Sequence, residues 1–221
     1  MATDAENLLR SDSAGAWDRL IEAVGPASLL AVIELRMGAA LRRRISPEDV
    51  FQEALLQAWR DRARHEWRGL KSFRNWLLTI IDHRIHDLAE KAQAQKRGGE
   101  RVTVAISALA GSDSTRAAPL AWDSTTPSRI ATYREQAEAM RAALASLPDD
   151  VQEVVRLRIF EQLSVEEIAG RLSLGVAAVR YRTPQGAELY QRRLVAELAT
   201  RSLSISQLAR HGLTADSSPD E

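Results

Sequence analysis

The sequence predicts an all-α protein of two small helical domains joined by a flexible linker, the C-terminal domain containing a helix-turn-helix. Three observations carry that expectation. Apolar residues recur every three or four positions through most of the chain, the period of a helix with one buried face. Helix-start signals stand at the heads of these runs. From 98 to 127 the period is lost and Gly, Ser, Thr, Asp and Pro accumulate, as in a connecting segment. The domains are therefore expected at 1–97 and 128–200, with a frayed polar tail at 201–221.

Trp17, Leu20, Ile21 and Val24, then Leu29, Leu30, Val32, Ile33 and Leu35, mark two helical pieces interrupted at Gly25-Pro26. At Ser46-Pro47-Glu48-Asp49 a new helix begins: serine caps, proline occupies the first turn, and two acids complement the positive helix end. It runs amphipathically from Val50 to Trp59. After Gly69 a further helix carries Phe73, Trp76, Leu77, Ile80, Ile81, Ile85 and Leu88 at helical spacing. In the linker, Val102 to Ile106 reads as a short extended piece, and Leu120 and Trp122 as docking residues. Helices are expected again over 127–146, over 148–160, and on through a helix-turn-helix to about Leu198.

In that unit Ser164 and Glu167 form a capping box, each satisfying an orphan backbone N–H. Ile168, Leu172, Leu174, Val176 and Val179 are spaced to face one core. Small Ala169 lets two helices cross closely at the Ser173-Leu174-Gly175 turn. The second helix, carrying Ala178, Arg180, Tyr181 and Arg182, is the one that lies in the major groove in such units. An ordinary helical hairpin is the plainer alternative.

Composition narrows the classes. With 221 residues and 45% apolar content the chain can build a real core in each domain. Lys plus Arg and Asp plus Glu are both 30, so no global positive field draws it to nucleic acid or anionic lipid, and any DNA affinity is local or borrowed. The absence of cysteine excludes disulfides, thiolate zinc sites and cysteine nucleophiles, and is compatible with a reducing cytoplasm. Asp4 and Glu6 without a basic leader argue against a secretory signal, and no stretch reads as a membrane span.

Taken together, Pro47 to Trp59, Phe73 to Ile80, and Leu147-Pro148 through Phe160 and Leu163-Ser164 into the helix-turn-helix resemble a bacterial RNA polymerase sigma factor of the two-domain, extracytoplasmic-function class. The Thr126-Pro127-Ser128 entry to the second domain is similar too. The resemblance covers about Trp17 to Leu194 and implies a cytoplasmic transcription-initiation factor with no catalytic activity, cofactor or metal. It implies core polymerase as partner, bound through Asp49, Phe51, Gln52, Glu53, Gln57 and Trp59. It also implies promoter DNA, met at the minus-ten element by Arg74, Asn75, Trp76, Lys91, Lys96 and Arg97 and at the minus-thirty-five element by Ala178, Arg180, Tyr181, Arg182 and Gln185. An anti-sigma inhibitor is a further possible partner.

The physics fits these roles. Melting a promoter means holding extruded bases, which aromatic and basic side chains do together. Between Arg60 and Arg101 eleven Lys or Arg stand against six acids, a basic stretch in a neutral chain. Two positions depart from the family pattern. Asp82 falls where a basic residue is common. Thr183-Pro184-Gln185-Gly186-Ala187 interrupts a helix that is usually basic, and proline there is expected to kink or stop it and weaken upstream recognition.

Two rival classes stay open. Asp82, His83, His86, Asp87 and Glu90 allow two-ligand zinc corners on one helix, though without the spacing of a zinc protease and with no third ligand evident. A stand-alone helix-turn-helix regulator, or a sigma-like protein retaining only partner binding, are the nearer alternatives.

Overall fold

The computed structural model describes residues 14–66, 68–97 and 125–212, except for the side chains at 14, 94–97 and 203–212. The described residues contain helices and no strand. The expected extended piece at Val102 to Ile106, and Leu120 and Trp122, lie outside them. Two compact units divide the chain after Tyr133.

The first unit contains α1 (Ala14–Val24), α2 (Pro26–Arg36), a single turn α3 (Ala39–Arg42), α4 (Pro47–Asp61) and α5 (Leu70–Arg97). Gly25 sits in the left-handed region at φ 78°, which lets α1 stop and Pro26 open α2 without a loop. Ser46 caps α4 by accepting from the Asp49 N–H at 3.1 Å, and Pro47 fills the first turn. Trp17, Leu20, Ile21, Leu30, Phe51 and Phe73 are buried together. Trp17 meets Trp59 and Phe73 edge-on, with ring centroids 5.3 and 6.0 Å apart, the arrangement favoured by aromatic quadrupoles. Leu35, expected in this stripe, faces outward instead.

Arg74 is the most deeply buried charged side chain among the described residues, with 2% exposure against 8% for Glu34. Its Nη1 donates to the Val24 carbonyl at 2.9 Å and its Nη2 to Ser28 Oγ at 2.8 Å. One guanidinium thus closes the C-terminal end of α1, where a cation complements the dipole, and ties α2 to α5. Burial, with Arg36 nearby, pulls its pKa down to about 10, so it remains a cation at neutral pH. Two outer ion pairs reinforce the packing: Arg36 with Asp82 at 2.6 Å between α2 and α5, and Arg84 with Glu53 at 2.5 Å between α5 and α4. The first unit closes two turns into α6 (Pro127–Ala145), where Arg129 and Tyr133 both take the Glu22 carboxylate.

The second unit continues with α7 (Asp149–Val155), which widens into a π turn over Arg156–Phe160, then α8 (Val165–Leu172) and α9 (Val176–Gly212). The π turn is held by Arg156, whose guanidinium binds Glu153 at 2.6 and 2.7 Å and Glu161 at 2.6 Å. That pairing lowers the Glu153 pKa and raises that of Arg156. The capping box forms as expected: the Ser164 N–H donates to Glu167 Oε2 at 2.6 Å and the Glu167 N–H to Ser164 Oγ at 3.1 Å. Ser173 turns the chain in the left-handed region at φ 53°. Val154, Leu157, Ile168, Ala169 and Val179 form the core, with Leu163, Val165, Leu172 and Leu174 at its edge. Val176, expected among them, is 38% exposed, because as the first residue of α9 it precedes the turn that faces inward.

Of the two outcomes expected at Pro184, a kink or a stop, the stop does not occur. The helix runs through Pro184, past Leu198 and into the segment read as tail, and is described as far as Gly212. Proline removes one backbone bond, whereas packing holds the helix on both sides: Val179 is buried before it, and Gly186 and Tyr190 after it. Tyr190 meets Phe160 edge-on at 5.9 Å, and Arg201 pairs with Glu138 of α6 at 2.9 Å.

Replacing Arg74 with Ala strands the buried Val24 carbonyl and the half-buried Ser28 hydroxyl and removes packed methylenes, so it is expected to cost the first unit about 2–4 kcal/mol, read as a lower denaturation midpoint. Lysine recovers only part of this, since it cannot fork to both acceptors. Ser164→Ala, by contrast, is expected to cost the second unit about 1 kcal/mol in the same measurement.

Candidate nucleic-acid interface

The second helix of the helix-turn-helix presents a continuous outer row. With Val179 fully buried as its root, Ala177, Arg180, Tyr181, Pro184, Gln185 and Glu188 are exposed, one or two per turn along one side. Tyr181 is 68% exposed, the most of any large apolar side chain described. Arg180 lies 3.4 Å from Glu166, an exposed pair worth little in water and readily exchanged for a phosphate. Ala178 and Arg182 are half-buried and flank the row. Gly186, two residues beyond Pro184, points the other way and is buried. A side chain at that position would meet Val155 and Val151 of α7 and would not join the row.

In the first unit the expected residues separate by burial. On α4, Asp49 and Gln57 are exposed and Gln52 and Glu53 half-buried, forming one outer face with Leu56, which is 40% exposed. Leu56 escaped the sequence reading; its signal was an apolar residue out of phase with Val50, Phe51, Ala54, Leu55 and Ala58. Phe51 and Trp59 belong to the opposite, buried face. They hold the helix in place and present almost no surface to a partner, which corrects their assignment to a docking contact. Arg62 lies over the Trp59 ring at 3.7 Å and donates to the Trp59 carbonyl at 2.7 Å.

On α5, Asn75 and Lys91 are exposed. Lys96 and Arg97 are in the last turn, with side chains outside the described residues. The expected strand contact at Arg74 is corrected: its guanidinium is committed to Val24 and Ser28 inside the unit. Trp76 is half-buried and stacks on His65, centroids 4.4 Å apart and planes 18° from parallel, with Phe73 5.6 Å away. Its indole is therefore shared between core and surface. Burial lowers the His65 pKa, against a smaller raising effect from Glu66, so the stacked imidazole is neutral at pH 7. Asp82, an oddity in the sequence, is the partner of Arg36. The basic stretch is thinner at the surface than its count, since Arg62, Arg68, Arg74 and Arg84 all have partners within the unit. His86 and Glu90 pair at 3.2 Å, and among the described residues no three His, Asp or Glu side chains come together as metal ligands. No helix among them is long and apolar enough to cross a membrane.

A helix-turn-helix with an exposed cationic and aromatic row, in a chain whose other unit carries a long helix over an aromatic nest, is the layout of two-unit proteins built to meet nucleic acid. Comparison with known proteins gives the particular family. Residues 31–95 match the family model described as sigma-70 region 2, and residues 137–186 that described as sigma-70, region 4. The chain is also 28% identical over 144 residues to a protein of Xanthomonas campestris pv. campestris named as a probable RNA polymerase sigma factor, RfaY. That match takes in 65% of this chain and 33% of the relative, so the chain spans about a third of its length. The chain belongs to the sigma-70 family.

The His65 stack generates a pH prediction. Because the folded pKa lies below 6.5, the unfolded chain binds more protons between the two values, so this histidine's contribution to stability is present above 6.5 and lost as pH falls through the folded pKa. Ring NMR titration is expected to place the His65 midpoint below 6.5, and Trp76→Ala to move it back towards 6.5 by rehydrating the ring.

Proposed function

We propose that this protein is a transcription-initiation factor that binds core RNA polymerase in the cytoplasm, directs it to specific promoters and assists their melting, without catalytic activity of its own. The observation that carries the reading is the outer row Arg180, Tyr181 and Gln185. It stands on the second helix of a helix-turn-helix within the sigma-70 region 4 match, in a chain that also carries region 2. A helix in that position inserts its exposed side chains into the major groove, where guanidinium and amide groups meet base edges and phosphates.

The exposure of the described side chains supports the remaining roles. Residues 1–97 serve polymerase binding and the minus-ten element, 98–127 link, and 128–200 serve the minus-thirty-five element. Asp49, Gln52, Glu53 and Gln57, with Leu56, form the face of α4 offered to polymerase, an apolar contact ringed by polar groups. Asn75, Lys91, Lys96, Arg97 and the Trp76–His65 stack meet the opened strand, which stacks on aromatic faces. Ala178 and Arg182 flank the upstream contact. The neutral net charge fits a protein whose DNA affinity is lent by the polymerase. An anti-sigma inhibitor is a natural further partner for such a protein.

Leu56→Glu combined with Gln57→Ala is expected to weaken core polymerase binding at least tenfold by surface-immobilised titration, with an unchanged helical circular dichroism spectrum. Binding equal to the parent's would remove α4 from the interface. Arg180→Ala with Tyr181→Ala is expected to leave polymerase binding intact while abolishing the preference for promoters bearing the upstream element.

A further inference from the structure

We propose that Gly186, seated on Val155 and Val151 of α7 opposite the exposed Pro184, is a positioning residue for upstream-element recognition: it sets how deeply α9 sits in the unit and hence where Arg180, Tyr181 and Gln185 project. The inference rests on the proposed function of that row.

The contact is unusually close. A Cβ at position 186 would lie 2.5 Å from Val155 Cγ2, 3.4 Å from Val151 Cβ and 3.8 Å from the Val151 carbonyl oxygen. Separations under about 3 Å are forbidden by carbon van der Waals radii, which place optimal contacts near 3.5–4.0 Å. The blocking atom cannot swing away. Val155 is β-branched, held in one rotamer on a helix, and 1% exposed in close-packed surroundings. Glycine 186 has no left-handed backbone to explain it, since it lies within the helix Val176–Gly212. Glycine inside a helix costs roughly 1 kcal/mol relative to alanine, so its use here reflects the backbone approach it permits.

Pro184 stands at the complementary place. Two residues along a helix is a rotation of roughly 200°, so the exposed ring lies across the helix from the glycine. Proline weakens the ladder on the solvent side and glycine removes bulk on the inner side, and helices bend so as to wrap the core with the convex side in water. Thr183 adds a back-bond, its Oγ1 donating to the Val179 carbonyl at 2.7 Å, another feature associated with bending. Thr183, Pro184 and Gly186, three of the five residues that break the family pattern, therefore act in one direction, pressing α9 onto α7. Arg180, Tyr181 and Gln185 lie within six residues of Gly186 on the same helix, so a shift of its seat moves them in the groove.

The test is initiation by reconstituted holoenzyme on one promoter with its upstream element intact or scrambled, reported as the ratio of the two rates. Gly186→Val is expected to lower the ratio about tenfold, the discrimination carried by one good base contact, and adding Val155→Ala to restore most of it. Thermal midpoints of the three proteins separate fold from position. A Gly186→Val protein that is less stable yet keeps the parent's ratio would overturn the inference, as would a lost ratio that Val155→Ala fails to recover. A parent ratio of one would overturn the upstream role of the row itself, and this inference with it.

Discussion

A single buried cation organises the first unit. Arg74 links the last turn of α1, the beginning of α2 and the first turns of α5, three elements whose apolar faces alone permit several packings. Desolvating a guanidinium is costly, and its hydrogen bonds offset that cost only when both acceptors are in place. The pairing therefore specifies one arrangement as well as stabilising it. The outer face of α4 and the Trp76–His65 stack are positioned by the same core, through Trp17, Trp59 and Phe73. A residue whose type suggested a ligand contact is better understood as the reason other residues are held where a ligand can meet them.

The second unit solves a different problem. A helix-turn-helix must fix the depth and angle of one rod, and here a small cluster of Val154, Leu157, Ile168, Ala169 and Val179 underlies it. Local devices make up for its size: the reciprocal cap at Ser164, the left-handed Ser173, the Arg156 clasp on the π turn, and the glycine seat at position 186. Each constrains the path of the backbone at one place, so the exposed row on α9 inherits a defined orientation from contacts on the opposite side of the helix.

Much of this was legible in the residues. Capping serines, a proline in a first turn and apolar periodicity located α4, α5 and the helix-turn-helix, because these signals report local physics. What depended on the third dimension was not. Arginine in a basic stretch reads the same whether it is exposed, as a ligand-facing residue would be, or buried, as Arg74 is. Phe51 and Trp59 share a motif with Gln52 and Gln57, and only the phase of the helix divides them. Pro184 carried a correct local rule that tertiary packing overrode, and the clue lay two residues on, in a glycine whose meaning requires Val155 in view. The count of basic residues overstated the surface field for the same reason: pairing is not written in composition.

Under the proposed function the two halves of this neutral protein divide the labour, polymerase lending much of the affinity and this chain the placement. The most direct test is to add the purified protein to bacterial core RNA polymerase on genomic DNA and sequence the 5′ ends of the RNA produced. The account predicts discrete starts that share both a minus-ten and an upstream element and vanish when the protein is withheld. Starts no different from those of core polymerase alone would contradict it.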